Sequence, residues 1–493
     1  MPVACRAPEQ VNMMELPPII QGGMGFAVSG WQLASAVSRQ GQFGVVSGTG
    51  LAISFACRLQ KGDPEDVLRE AIAAFPSRAI ADRVLRRWYA KSAPSPAQLS
   101  APVPMPTWPM DPALIELTVL ANFVEIHIAK ARGGSGPIGL NLLTKIEIMT
   151  LPSLYGAMLA GVDAIFMGAG IPRLIPGVLD ALARGQVATL PLTVEGSAPE
   201  MMHLDPAELF GGTAPTLDRP AFFPIVSSDT LANILIRKSN GPIDGFVVED
   251  HTAGGHNAPP RRGQGLNERG EPIWGELDRP SLGAFRKLGL PFYIAGGQAD
   301  SIALRAVRAL GATGIQIGTP FAFCDESGIL PELKTAVIRA AMRGDMDVFT
   351  DSNASPTGFP FKVVQLAGTL SDPEVYAARS RTCEFGYLRT AYRRQDGTLG
   401  WRCPAERENA YFTKGGKAED TAGRKCVCAG LGAVVGMASP GEPPIITSGL
   451  SIRQLSRYVR AGQDSYSAED VIRGILTHTQ ASSDVTQALL SRV

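Results

Sequence analysis

The chain runs to 493 residues with 45% hydrophobic content, enough for one large α/β domain with additions or for two to three domains, and points to a globular protein. Its 46 Lys and Arg offset 46 Asp and Glu, so no overall field exists to draw nucleic acid or an anionic membrane, and any ligand charge has to be met locally. No apolar stretch approaches the roughly 18 residues that span a bilayer, the start MPVACRAPEQVNMMELPPII lacks a charged region followed by an apolar one, and seven cysteines are too few and odd for a secreted disulfide framework, so a soluble, cytoplasmic protein is expected.

In chain order, short β-type runs alternate with helical stretches, the pattern of a parallel sheet with crossover helices. The runs are PIIQ (18–21), FGVV (43–46), IGLNL (138–142), DAIFM (163–167), FFPIV (222–226), GFVVE (245–249), FYIAG (292–296) and GIQIG (314–318). Helices are predicted near 30–40, over 63–90 and 111–131, then at 152–160, 173–184, 228–239, 280–288, 301–310 and 332–343. Eight such units predict an α/β fold of the TIM (β/α)8 barrel type over residues 17–345. A helical and Pro-rich insertion interrupts it at 51–136 and a second at 185–221, and residues 346–493 form a C-terminal extension. The competing doubly wound sheet fails at its first turn. In QGGMGFAVSG (21–30) the G-x-G-x-x-G spacing would need glycine where Val28 stands, and no acid closes a second strand about 20 residues on.

In a barrel, the loops after the carboxyl ends of the strands carry the chemistry. Gly22, Gly23 and Met24 follow the first strand, either as bare backbone against a flat ligand or as a tight turn. Gly296 and Gly297 follow the seventh strand and Gly318 and Thr319 the eighth, where barrels commonly build a phosphate pocket from amides. FVVEDHTAGGHNAPPRR (246–262) ends the sixth strand. Its diglycine aims His256 over the mouth, where an imidazole exchanges protons near neutral pH, while His251, Glu249 and Asp250 read as loop and strand end.

Together TAGGHNAPPR, PIIQGGMG, PIGLNLL, FYIAGGQ and GIQIGTPFAFCDESG resemble the nitronate monooxygenase (2-nitropropane dioxygenase) family of FMN-dependent barrel enzymes, from about residue 17 to 345. The resemblance implies FMN as cofactor, His256 as the catalytic residue, and Gly296, Gly297, Gly318 and Thr319 around the FMN phosphate. It further implies Gly22, Gly23, Met24, Asn141 and Gly255 near the flavin, with Gln298 and Gln316 pointing either toward the ligand or away from it. The implied reaction is oxidation of an alkyl nitronate or nitroalkane by O2 to a carbonyl compound and nitrite. His256 would serve either as neutral base toward the α-proton or as imidazolium holding the nitronate oxygens. The chain's length places it nearer a long bacterial branch related to trans-acting, FMN-dependent enoyl reductases of polyketide and polyunsaturated fatty-acid synthesis. Those use NADPH on substrates held by an acyl carrier protein. A non-catalytic barrel that binds flavin or a partner is a third reading.

Three further features stay open. Arg83, Arg86, Arg87 and Lys91 form a basic run that either meets an acidic carrier or is a solvated helix face. DSNASPTGFPFKVVQ (351–365) is expected to pass back near the mouth, with Lys362 meeting a ligand charge or solvent, and Glu326 is expected near the pocket. Cys383, Cys403, Cys426 and Cys428 admit a Zn site, although C-x-C with gaps of 19 and 22 residues is no standard spacing; buried reduced thiols or a redox pair are the alternatives.

Overall fold

The computed structural model describes residues 16–63, 66–89, 102–263 and 265–477. Eight parallel strands form one sheet: β1 (Ile19–Gln21), β2 (Gly44–Ser47), β3 (Ile138–Leu143), β4 (Ala164–Gly168), β5 (Ala221–Val226), β6 (Phe246–Glu249), β7 (Phe292–Ala295) and β8 (Gly314–Ile317). Each pairs with its neighbour in sequence, and β8 pairs with β1. The ring closes between β1 and β2, where Gln21 donates to the Phe43 carbonyl at 2.9 Å and Phe43 to that of Ile19 at 3.0 Å. The chain is a (β/α)8 barrel, and all eight predicted strands are present within one or two residues. They were readable because strands buried on both faces appear as nearly continuous apolar runs.

Aromatic side chains plug the closed end. Ile20, Phe43, Phe166, Phe223, Val247 and Tyr293 form one apolar cluster inside the ring. Phe43 meets Phe166 edge-on at 5.2 Å, and Phe166 stacks on Phe223 at 5.4 Å. Gly139 is required beside them, since a Cβ there would lie 2.7 Å from the Phe166 ring.

The first insertion holds helices Leu51–Lys61, Val67–Ala73, Arg78–Trp88 and Pro112–Ala131. The first of these was not predicted; the helical stretch DPEDVLREAIAAF, then RAIADRVLRRWYAK, forms the second and third. Pro112–Ala131 also corrects the expectation about apolar stretches: by length and composition its 20 residues are enough to cross a membrane. It is instead a packing helix, 72% buried, against the helices at 31–39, 51–61 and 150–159. It carries a buried acid, Glu125, which pairs with Arg58 and accepts the Trp31 amide at 2.8 Å. On helix 78–88, Arg83 pairs with Glu116 at 2.7 Å and Arg87 with Asp111 at 3.8 Å, while Lys91 lies outside the described residues.

The second insertion forms an antiparallel pair, Ala188–Leu192 with Glu200–Leu204. Between them Val194–Glu195 pairs in parallel with Thr390–Arg393 of the extension, which itself pairs with Leu399–Arg402. The extension also contributes a hairpin (Val348–Asp351 with Phe361–Val364), a helix (Val427–Val434) and a 3-10 turn (Leu450–Tyr458). These return to the carboxyl ends of the barrel strands.

Candidate active site at the barrel mouth

A cavity of about 570 Å³ opens at the carboxyl ends of the strands, within the ~300–1,000 Å³ usual for ligand clefts. His256, Gly22, Gly23, Met24, Asn141, Gly255, Gly296, Gly297, Gly318 and Thr319 all line it, as do Gln298 and Gln316. Chain folding thus gathers every residue singled out for catalysis or cofactor contact around one space. Glu326 is not among the lining residues; its carboxylate accepts the Ala468 amide at 2.9 Å at the start of the last described helix.

One end of the cavity is walled by backbone. Gly296 and Gly297 turn with φ of +94° and +61°, values that side chains other than glycine rarely adopt. The extension completes this end. Thr319 Oγ1 accepts the Gly449 amide at 2.9 Å, and Leu450 donates to the Thr252 carbonyl at 3.0 Å. Packing is so close that a Cβ on Gly449 would lie 2.8 Å from the Thr252 oxygen, and one on Gly254 would lie 2.7 Å from the Gly449 nitrogen. On the opposite wall, a Cβ on Gly23 would lie 2.3 Å from that of Asn141, so the bare turn after β1 is needed to pass β3. A cradle of bare backbone and short hydroxyls fits a phosphate group, and the flat wall formed by Gly22, Gly23 and Asn141 fits a planar ring. These residues are therefore suited to hold FMN.

The AGGH loop is held as an extra strand of the extension's hairpin. Lys362 donates to the Gly255 carbonyl at 3.0 Å and Asn257 to that of Pro360 at 2.9 Å, and the His256 ring sits edge-on to Phe361 at 4.8 Å. Nε2 of His256 lies 2.6 Å from Ser355 Oγ, which lies 2.8 Å from Thr357 Oγ1. Burial, reinforced by the charge of Lys145, pushes the His256 pKa down to about 3. Near pH 7 the ring is therefore held in its neutral form, the form a proton acceptor needs, while so low a value keeps it a weak base until an anion bound nearby raises it. His251 lies in the loop after β6 as expected, lines the cavity and stacks on Trp274 at 4.9 Å.

Three further ionisable groups matter here, of which the sequence reading placed one, misjudged one and missed one. Glu249 ends β6 as read from the sequence and also lines the cavity, where burial followed by the Asp250 charge pushes its pKa up to about 8. Lys362 is neither solvated nor among the residues lining the cavity. It is 2% exposed, donates to Thr350 Oγ1 at 2.8 Å, and is pushed down to about 8 by burial against the counter-effect of Glu271, Asp250 and Glu249. Lys145, in the loop after β3, lines the cavity and carried no pattern to reveal it; burial brings it down to about 7.

The four tail cysteines share a neighbourhood as free thiols. Cys403 and Cys426 pack with Ala405 and Ala429, and Cys428 borders the cavity. Burial raises all four thiols, Cys426 to about 12. Among the described residues no three His, Cys, Asp or Glu side chains are arranged to hold a metal ion.

The fold and this mouth define a class, the (β/α)8 barrels that bind ligands in the loops after their strands. Within that class, residues 216–351 match the family model described as nitronate monooxygenase, which bears out the resemblance read from the motifs. The chain is 33% identical over 116 residues to a probable nitronate monooxygenase of Bacillus subtilis, covering 24% of this chain and 31% of that one. It is 38% identical over 101 residues to a nitronate monooxygenase of Pseudomonas aeruginosa, covering 20% and 26%. The matches thus span about a third or less of these relatives' own length. Among solved structures, a nitroalkane oxidase from Streptomyces ansochromogenes aligns over 97% of this chain and 98% of its own, at 15% identity and a TM-score of 0.45.

Proposed function

We propose that this chain is a soluble, cytoplasmic, FMN-dependent oxidoreductase that oxidises alkyl nitronates with O2 to a carbonyl compound and nitrite. The observation that carries the reading is His256, fixed through Ser355 and facing the same cavity as the glycine cradle. The cradle of Gly296, Gly297, Gly318 and Thr319 would hold the FMN phosphate, and Gly22, Gly23, Met24, Asn141 and Gly255 would flank the ring. FMN held there supplies reversible electron transfer to and from an electron-rich organic substrate. His256 would take the α-proton of a neutral nitroalkane on its imidazole, with Ser355 fixing the ring. The hairpin and the helix at 427–434 would exclude water from the substrate.

A second reading, NADPH-dependent reduction of an enoyl group delivered by an acyl carrier protein, is favoured by one observation. The extension lines the cavity with Val427, Leu431, Ile445 and Ile446, a wall suited to an acyl chain. Anaerobic mixing of the yellow protein with an alkyl nitronate and, separately, with NADPH decides between them. Prompt bleaching by the nitronate is expected; bleaching by NADPH alone would favour the enoyl reductase. A colourless protein that takes up no FMN would sink both and leave a partner-binding barrel. His256→Asn is expected to lower kcat/KM by about 10²–10⁴-fold with the yellow colour retained.

A further inference from the structure

We propose that Lys145 is the substrate-binding cation of this site, taking the anionic oxygens of a small planar oxyanion such as a nitronate while His256 works beside it as a neutral group. The inference rests on the reading of the cavity given above and deepens it by naming what recognises the substrate's charge.

Lys145 and His256 come from opposite sides of the barrel, after β3 and β6, yet one segment of the extension clasps both. Nζ of Lys145 lies 3.4 Å from Thr357 Oγ1 and 3.4 Å from the centre of the Phe359 ring. Thr357 bonds to Ser355 at 2.8 Å, and Ser355 to His256 at 2.6 Å. The lysine is thus positioned by a long hydroxyl contact and an aromatic face, neither of which neutralises it. Burial alone accounts for its lowered pKa, with no carboxylate acting on it, so its counter-charge is left for a ligand to supply. An unpaired, largely buried ammonium is costly unless a partner arrives, and a bound anion raises its affinity for the proton.

The other ionisable groups around the cavity fit this role. Glu249 is pushed up to about 8 and so is largely uncharged near neutrality, and His256 contributes no charge. Asp250, His251, Asp278 and Arg261 lie on the β6 side of the mouth, in or beyond the AGGH loop. From the extension, Tyr387 and Cys428 stay protonated because burial raises both. Lys145 is therefore the cation on the β3 wall, where an anion would lie between it and the imidazole.

The test uses the FMN-loaded full chain and nitrate, a planar oxyanion that cannot turn over, with binding read from the flavin spectrum between pH 6 and 9. Wild type is expected to lose affinity as pH rises through and beyond neutrality. Lys145→Met should bind nitrate roughly ten- to a hundredfold more weakly with little pH dependence. Lys145→Arg should restore most of the affinity and carry it to higher pH, and His256→Asn should keep the wild-type pH dependence. A second readout needs no flavin: brief acetic anhydride labelling at pH 7, mapped by mass spectrometry, should modify Lys145 ahead of surface lysines and be blocked by nitrate. Wild-type nitrate affinity and pH profile in Lys145→Met would overturn the proposal. So would a Lys145→Met protein whose flavin potential moves while nitrate binding does not, since that places the lysine on the cofactor. Lysine-dependent nitrate binding without any nitronate turnover would instead leave this inference standing and reject the proposed reaction.

Discussion

At the closed end of the barrel, Phe43, Phe166, Phe223 and Tyr293 fill the ring with groups that the strands themselves supply. At the mouth, the barrel strands end in Glu249 and in the loops bearing Lys145 and His256, and the extension holds those loops: Ser355 and Thr357 reach His256 and Lys145, and Thr447 accepts the Gly255 amide. The apolar plug needs only burial, which is non-directional. The polar mouth needs partners at hydrogen-bond geometry, and the barrel loops alone do not provide them. Stability and chemistry are therefore separable along the barrel axis, and substitutions at the two ends should fail in different ways.

The largest effect is expected at the plug. Phe166→Ala removes a ring that is 1% exposed, stacked on Phe223 and met edge-on by Phe43. A loss of about 3–5 kcal/mol of stability should follow, read as a shift in the urea midpoint. Flavin affinity and KM, measured in the cold where the variant stays folded, should be unchanged; a parallel loss of both would mean that the two ends are coupled.

Next in size is a substitution where the extension touches the cradle. Gly449→Ala places a Cβ 2.8 Å from the Thr252 carbonyl oxygen and 3.3 Å from Thr319 Oγ1. The backbone there is ordinary (φ −79°, ψ 174°), so the cost is steric and falls on the cradle. The about 1–3 kcal/mol of overpacking should lower the urea midpoint of the flavin-free protein, and because the groups that must shift are Thr252 and Thr319, FMN affinity should also drop by roughly ten- to a hundredfold. Unaltered flavin affinity by fluorescence titration would show that the tail borders the cradle without shaping it.

The same division explains what could be read from the sequence. The strands are legible because a buried parallel strand is a local pattern, and the glycines at their ends are legible because barrel topology fixes which loops face the ligand. Even so, Gly254 owes its lack of a side chain to Gly449, nearly 200 positions away, a constraint that no local pattern contains. Lys145 sits in NLLTKIEIM, where nothing in spacing or composition marks it; only its place in the loop after β3 hints at the cavity. Lys362 looked solvated because lysines usually are, and only the pairing of its hairpin with the AGGH loop buries it. Helix 112–131 looked like an ordinary helix in an insertion, yet it is as apolar as a membrane span because it is enclosed by neighbouring helices.

The smallest effect is a pH dependence set by Glu249. Its carboxyl is raised to about 8, from the ordinary glutamate value of 4.5. Below the lower value both folded and unfolded chains hold the proton. Between the two, the unfolded chain releases it while the folded one retains it, so stability falls as pH rises and levels off above about 8. Lys145 and Lys362, lowered to about 7 and 8, act in the opposite sense, adding stability as pH climbs from there toward 10.5. Glu249 should therefore subtract stability across the acid-to-neutral range, and the two lysines should add some in mild alkali. Glu249→Gln keeps the shape, cannot ionise, and should flatten the acid-to-neutral fall while leaving the alkaline rise. The gain at pH 7 should be on the order of 1 kcal/mol, allowing for water that reaches the cavity. Thermal midpoints measured at unit pH steps from 5 to 9 would show it. An unchanged slope in Glu249→Gln would mean that this carboxylate is ionised and hydrated in the folded chain, and the mouth would then carry a negative charge opposite Lys145.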